Sequence, residues 1–417
     1  LITNGIPEDD FTRVIREDPK REGLLYVGTE TGAYVSFNDG SSWQSLHLNL
    51  PVVPVYDMVI KNNDLIAATH GRSFWILDDL TLLHELMDSP VGSGAYVFKP
   101  RPTYRIAASL RSPGPGLTGI NYHRSSGDIV AYHSIQKPNG ESIRAYLDAG
   151  TNPPAGVVIT YYLEEAPEGG LVLNFNNSSG HLIRSFSNIF PSGTPVPANK
   201  GVNQFVWDMK HPGPVSIRKD LGLNMMDPAM PVSAMVPPGM YEVQLVVGNI
   251  AVSHSFEILK DPRVSASQED FEAQTQLLLD IRDKISETNI AINRLADVRN
   301  QAQEWERLSR KLPGTESVTA ALDSLKGKLS LVELQLVRVL GKNPQKFPPT
   351  GLNNKLASLT SVVASADWAP TKQSYSVLMA LSARVDEQLE FLSHIIDKDV
   401  VEFQGLLGQT GVPPIIS

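Results

Sequence analysis

Asp78 and Asp79 are neighbouring acids of the kind a glycosidase sets either side of a scissile bond, one protonating the leaving oxygen, the other attacking or activating water. Adjacent residues on an extended strand point to opposite faces, so these two carboxylates do not readily address one substrate atom. Eight residues before Asp78 stands His70-Gly-Arg72, and Trp75 follows. An imidazole, a guanidinium and an indole at the end of an apolar alternating run are candidate ligand contacts. The competing reading has His70 and Arg72 bonding turn backbone and Trp75 filling core. The nine histidines are otherwise scattered. There is no HExxH, GxSxG, phosphate-binding glycine loop or histidine cluster at ligand spacing. No catalytic residue, metal site or cofactor is therefore expected of this chain.

The elements that carry these residues repeat. Leu25-Tyr-Val-Gly-Thr29 and Ala33-Tyr-Val-Ser-Phe37 recur forty residues later as Leu65-Ile-Ala-Ala-Thr69 and Ser73-Phe-Trp-Ile-Leu77. Each copy follows an alternating run, Thr12-Arg-Val-Ile-Arg16 or Tyr56-Asp-Met-Val-Ile60. Three or four short strands every 40 to 45 residues or so are the mark of a β-propeller blade. Two blades cannot close a ring, and open edges invite pairing. The expectation is that residues 1–90 are the last two blades of a longer protein whose upstream blades are their packing partners.

Ser36-Phe-Asn-Asp-Gly-Ser-Ser-Trp43 has the form of a hairpin turn. In it Gly40 supplies positive φ, Asn38 bonds turn backbone and Trp43 packs back over the hairpin. The segment resembles the Asp-box, or bacterial neuraminidase repeat, Ser-x-Asp-x-Gly-x-Thr-Trp, with Asn38 and Ser42 in place of the usual Asp and Thr. Ser36, Asn38, Asp39, Gly40 and Trp43 are read as structural. With Ala68-Thr-His-Gly-Arg-Ser-Phe-Trp-Ile-Leu-Asp-Asp79, the box makes the chain resemble large bacterial exported proteins with sortilin-like propellers, often labelled glycosyl hydrolases. Phe98–Arg105, Gly150–Gly156 and Asp261–Val264 extend that resemblance downstream. It implies a secreted, periplasmic or cell-envelope location. A label inherited from a repeat is a fold-level analogy. Sialidases also need an arginine cluster and a Tyr/Glu pair, and nothing here assembles that set.

Downstream, residues 91–127 read as a connecting strand and a Pro/Gly/Ser-rich loop over 106–127. Residues 128–260 carry short strands at 157–163, 171–175, 181–186, 201–208 and 236–245, with an irregular insertion at 211–235. The last two of these strands resemble the Ig-like module of flagellar hook-capping proteins, so a β-sandwich is expected. Asn176-Asn-Ser178 and Asn177-Ser-Ser179 match glycosylation sequons but read as an Asn-rich turn. In residues 261–417, Ser267-Gln-Glu-Asp270 is a capping box opening a long helix. Phe271, Leu278, Ile285 and Ile292 recur every seven residues, with Ile281, Leu295 and Ala302 at the complementary positions and Thr288 the polar exception. Further stripes run from Val318 to Val339 and from Leu378 to Ile396, with a short helix at 352–363 between them. Breaks at Pro313-Gly314 and Pro348-Pro349 make an intramolecular antiparallel bundle the reading over a coiled coil with another chain.

The fold class expected is thus multidomain β plus α: a partial β-propeller, an Ig-like β-sandwich and a helical bundle. At 41% apolar residues the chain can fill such cores. A net charge of −9 without a basic cluster argues against nucleic acid. No run of 18 apolar residues encodes a membrane span. Absence of cysteine excludes disulfides but not export. The functional expectation is a non-catalytic binding or scaffold protein whose propeller faces a protein or carbohydrate ligand. The alternative is a sialidase-like glycoside hydrolase with its active site mostly in upstream blades.

Overall fold

The computed structural model describes residues 2–88, 94–106, 119–125, 128–136, 142–147, 150, 153–189, 195–218, 220, 231–309, 316–337 and 350–409. It is a mixed β and α protein in two compact units. One comprises Leu1–Met209 with Gly239–Lys260, the other Lys210–Pro238 with Asp261–Ser417.

The first unit opens with two antiparallel meanders. β1 (Thr12–Asp18), β2 (Arg21–Thr29), β3 (Ala33–Ser36) and β4 (Gln44–Ser45) form one sheet in sequence order; β5 (Val55–Lys61), β6 (Asp64–Thr69) and β7 (Phe74–Leu77) form the next. Leu25 pairs with Ser36, whereas Leu65 pairs with Leu77. The repeat is thus offset by forty residues on β2/β6 and by forty-one on β3/β7, the extra residue lying in the turn before Phe74. Leu24, Tyr26, Ala33 and Val35 of the first sheet share one core with Val55, Met58, Leu65 and Ala67 of the second. The opposite face of the first sheet, Leu25, Val27 and Tyr34, is covered by Trp43 and Ile6. Gly28 lets the second sheet approach closely. A Cβ there would stand 2.8 Å from Val14 Cγ1, Val55 Cγ1 and Val55 O.

Helix α1 (Thr81–Asp88) follows, then β8 (Ala95–Val97) and β9 (Thr103–Arg105). These two short strands do more than connect. β8 pairs with β13 (Val157–Leu163), and β9 lies parallel to β18 (Ile250–Lys260). The loop expected over 106–127 is corrected at its end. Gly119–Ser125 is a strand, β10, which forms a three-stranded sheet with β11 (Asp128–Gln136) and β12 (Ser142–Tyr146). Ladder pairing with β11 gives its backbone partners that composition does not reveal.

β13, β8 and β16 (Gly201–Trp207) make one sheet. β15 (Leu182–Ser187), β14 (Leu171–Asn177), β17 (Gly239–Val247), β18 and β9 make a five-stranded one. Alternation buries Val157, Ile159, Tyr161 and Leu163 of β13, and Leu171, Leu173 and Phe175 of β14. Phe175 stacks on Trp207 across the two sheets with centroids 4.4 Å apart, and Phe186 meets Phe205 at 4.7 Å. Each such buried side chain contributes about 1.5–3 kcal/mol.

The second unit is helical: α2 (Gln268–Ser309), α3 (Glu316–Leu336), α4 (Leu352–Val363), α5 (Lys372–His394), a π-helical stretch Ile395–Val400, and α6 (Val401–Gln409). The capping box closes reciprocally. Asp270 N donates to Ser267 Oγ at 3.2 Å and Ser267 N to Asp270 Oδ2 at 2.9 Å. The heptad residues of α2 are buried, and Thr288 is satisfied by donating to Lys284 O. Val339 lies outside the described residues. The described residues of 210–238 bond polar side chains of the helices. Ser286 Oγ accepts from Val215 N, Asn289 Nδ2 donates to Val215 O, and Thr360 Oγ1 accepts from Val232 N.

Candidate functional site

Asp10, buried just before β1, ties the start of the first meander together. Its Oδ2 accepts from Thr29 Oγ1 (2.8 Å), Thr31 Oγ1 (2.6 Å) and Tyr34 OH (3.1 Å), and its Oδ1 from Thr31 N. Burial alone would raise this carboxyl, but the bonds from Thr31, Thr29 and Tyr34 together carry it below its ordinary value. The neighbouring Phe11 is thereby fixed, and its carbonyl accepts from Glu30 N at 3.1 Å.

From Phe11 a row of exposed groups crosses to the second meander. Arg13 Cζ lies 4.4 Å from the Phe11 ring centre and 4.8 Å from that of Tyr56. Tyr56 in turn stacks on His70, with centroids 5.0 Å apart and planes 28° apart. Phe11 is 55% and Tyr56 46% exposed. Arg13 is held from the side by Glu30, whose Oε2 accepts from its Nε at 2.8 Å. The β6–β7 turn is set by its own bonds. His70 N donates to Pro54 O at 2.9 Å and Thr69 Oγ1 to Ser73 O at 2.6 Å. Gly71 and Ser73 take left-handed φ of 91° and 63°. Exposed rings and a guanidinium held against one another can offer apolar surface and positive charge to a π system or an anion.

Of the residues singled out in the sequence, His70 joins this row and Arg72 is exposed beside it in the turn. Trp75 packs inward against the shared core, its Nε1 donating to Arg72 O at 3.1 Å. Phe11, Arg13 and Tyr56 were not singled out. Their one sequence signal is that Phe11 and Tyr56 are aromatics forty-five residues apart at the heads of the two alternating runs.

Asp79 caps α1. Its Oδ1 accepts from Thr81 N (3.1 Å), Thr81 Oγ1 (2.5 Å) and Asn63 Nδ2 (3.1 Å). Asp78 is exposed. Partial burial and the nearby Asp64 raise its carboxyl, with Arg101 opposing. Residues 36–43 form a closed turn. Ser36 Oγ donates to Asn38 Oδ1 (3.0 Å) and accepts from Gly40 N (2.9 Å), while Asn38 Oδ1 also accepts from Ser42 N (2.9 Å). Gly40 has φ 77°, Asp39 has φ 53°, and Trp43 Nε1 donates to Ile2 O at 2.7 Å. Among the described residues no group of three or more His, Asp or Glu side chains stands where it could hold a metal ion.

No family model matches the chain, and no curated protein matches it.

Proposed function

We propose that this chain is part of a binding or scaffold protein that recognises a protein or carbohydrate ligand through the row Phe11–Arg13–Tyr56–His70. The observation that carries the proposal is the Arg13 guanidinium lying against both exposed rings, with His70 stacked on the second. Tyr and Arg fixed by neighbours lose little entropy on binding and recur as anchors of interfaces. The glycoside hydrolase reading has less in its favour, because Asp79 already accepts three hydrogen bonds as a helix cap.

The finer architecture belongs to the same proposal: two consecutive propeller blades, an Ig-like sandwich and an antiparallel bundle, in a sortilin-like Asp-box protein. The faces of the two meanders support it. Tyr26, Ala33 and Val35, which cover the second sheet, correspond through the offsets above to Ile66, Phe74 and Ile76. There Phe74 and Ile76 are 72% and 59% exposed, beside Val59. Stacking is therefore head-to-tail, and the bare face suits a further blade. A secreted or envelope location rests on the resemblance alone. No helix among the described residues is long and apolar enough to cross a membrane.

The test is a screen of the whole chain on paired glycan and peptide arrays, repeated with Tyr56→Ala/His70→Ala. Signals that vanish in the variant, at unchanged melting temperature, support the row. Signals that persist in it reject the row.

A further inference from the structure

At the opposite ends of the same strands, the β1–β2 turn, the β5–β6 turn, α1 and the segment around β9 enclose a cleft of about 550 Å³. Lys20, Asn62, Asn63, Thr81, His84, Lys99 and Arg101 supply its polar lining, and Tyr104 and Leu259 part of its apolar wall. Among the described residues no carboxylate lines it, in a chain of net charge −9.

Of the surrounding acids, Asp18, Asp64, Asp79 and Glu85 are each engaged by a donor, and Asp78 lies near Asp64 and Arg101. Asp18 Oδ2 accepts from Tyr26 OH at 3.0 Å and meets His84 Nε2 at 2.8 Å, while its Oδ1 accepts from Lys20 N at 2.9 Å. Asp64 takes the Arg101 fork, at 2.7 and 3.3 Å, and the Asp79 N–H. Glu85 accepts from Tyr96 OH and Lys99 N. Asp79 is the helix cap described above. The two lysines differ from the arginine. Lys20 Nζ reaches only the neutral Asn63 Oδ1, at 3.1 Å, and neither Lys20 nor Lys99 is in an ion pair among the described residues.

We infer that this cleft is a binding site for a phosphorylated small molecule of about monosaccharide size. Two ammonium groups with amide and hydroxyl neighbours suit the tetrahedral oxygens of a phosphate. A phosphate carries up to two negative charges against a carboxylate's one, so two ammonium groups favour it, while the Arg101 fork is already given to Asp64. Pro100, Pro102, Tyr104 and Leu259 leave an apolar wall for the body of the ligand.

The experiment is calorimetric titration of the whole chain with glucose 6-phosphate at low ionic strength, against glucose and glucuronate. Wild type, Lys99→Gln and Lys20→Gln/Lys99→Gln are compared, with melting temperature as the check on folding. The expected result is saturable binding of glucose 6-phosphate, tighter than glucuronate and absent for glucose. It should weaken at least about tenfold in the double variant and less in the single one. No saturable binding, equal affinity for glucuronate, or undiminished affinity in both variants would overturn the assignment. Tyr56 lies at the other end of β5 from Asn62, so this outcome is separate from that of the recognition row.

Discussion

His84 Nε2, on α1, stands 2.8 Å from Asp18 Oδ2, at the end of β1, in a buried site closed by the Tyr26 hydroxyl. One carboxylate thus ties the helix after the second meander to the first sheet. Asp18→Ala should cost about 3 kcal/mol, because it leaves the Tyr26 hydroxyl, the imidazole and Lys20 N unpaired. Asp18→Asn, which keeps an acceptor, should cost less. Urea denaturation of the three proteins measures the order.

Burial works to raise Asp10 and Asp18, but hydrogen bonds to Thr31, Thr29 and Tyr34 in one case, and to His84, Lys20 N and Tyr26 in the other, bring both below their ordinary values. Their stabilisation is present above the unfolded carboxyl pKa of about 3.9 and is lost as pH falls through the lowered folded values. The acid limb of stability against pH should therefore become shallower in Asp10→Asn, which thermal melts from pH 6 downward would reveal.

Gly28 and Gly40 separate packing from turn geometry. Gly28→Ala puts a methyl against Val14 and Val55 between the sheets, and should cost about 1–3 kcal/mol as overpacking. Gly40→Ala strains a φ of 77° in the turn at 36–43 and should cost about 1 kcal/mol. Neither should alter ligand affinity in the folded protein. An affinity loss in Gly40→Ala at unchanged stability would make the box a binding element.

What the sequence made legible were features written in local order. The turn at 36–43 depends on eight consecutive residues, and the stripe through Phe271, Leu278 and Ile285 on a seven-residue period. The forty-residue repeat located β2 with β6, but not the extra residue in the turn before Phe74, which only pairing register reveals. The row Phe11–Arg13–Tyr56–His70 was mostly hidden. His70 stood out for its place beside Gly71 and Arg72, whereas Phe11, Arg13 and Tyr56 meet it only through sheet stacking. Residues 210–238 joined the helical unit for a similar reason, since their partners Ser286, Asn289 and Thr360 lie 71, 74 and 128 residues away from them.

His211 lies in that helical unit. Burial, with Arg282 adding to it, lowers its pKa to about 4. Neutral in the fold and protonated when unfolded, it supports stability fully above the unfolded pKa of about 6.5. That contribution is lost as pH falls toward 4. His211→Gln should flatten this part of the pH dependence, read by far-ultraviolet circular dichroism melts.

A fragment 261–417 should give a helical spectrum from its buried stripes. It should melt below the helical transition of the whole chain, because it lacks Ala234 and the backbone partners of Ser286, Asn289 and Thr360. Equal melting temperatures would mean that residues 210–238 add nothing to that unit.

On the proposed reading, ligand is recognised on the row where Arg13 lies against Phe11 and Tyr56 and His70 stacks on Tyr56. Hydrogen exchange on the whole chain, with and without the ligand picked out by the arrays, tests it most directly. Ligand bound on this row should add protection in segments 11–13, 54–57 and 69–73, lost in Tyr56→Ala. Protection confined to the helical unit, or to the turns carrying Lys20 and Asn62, would contradict it.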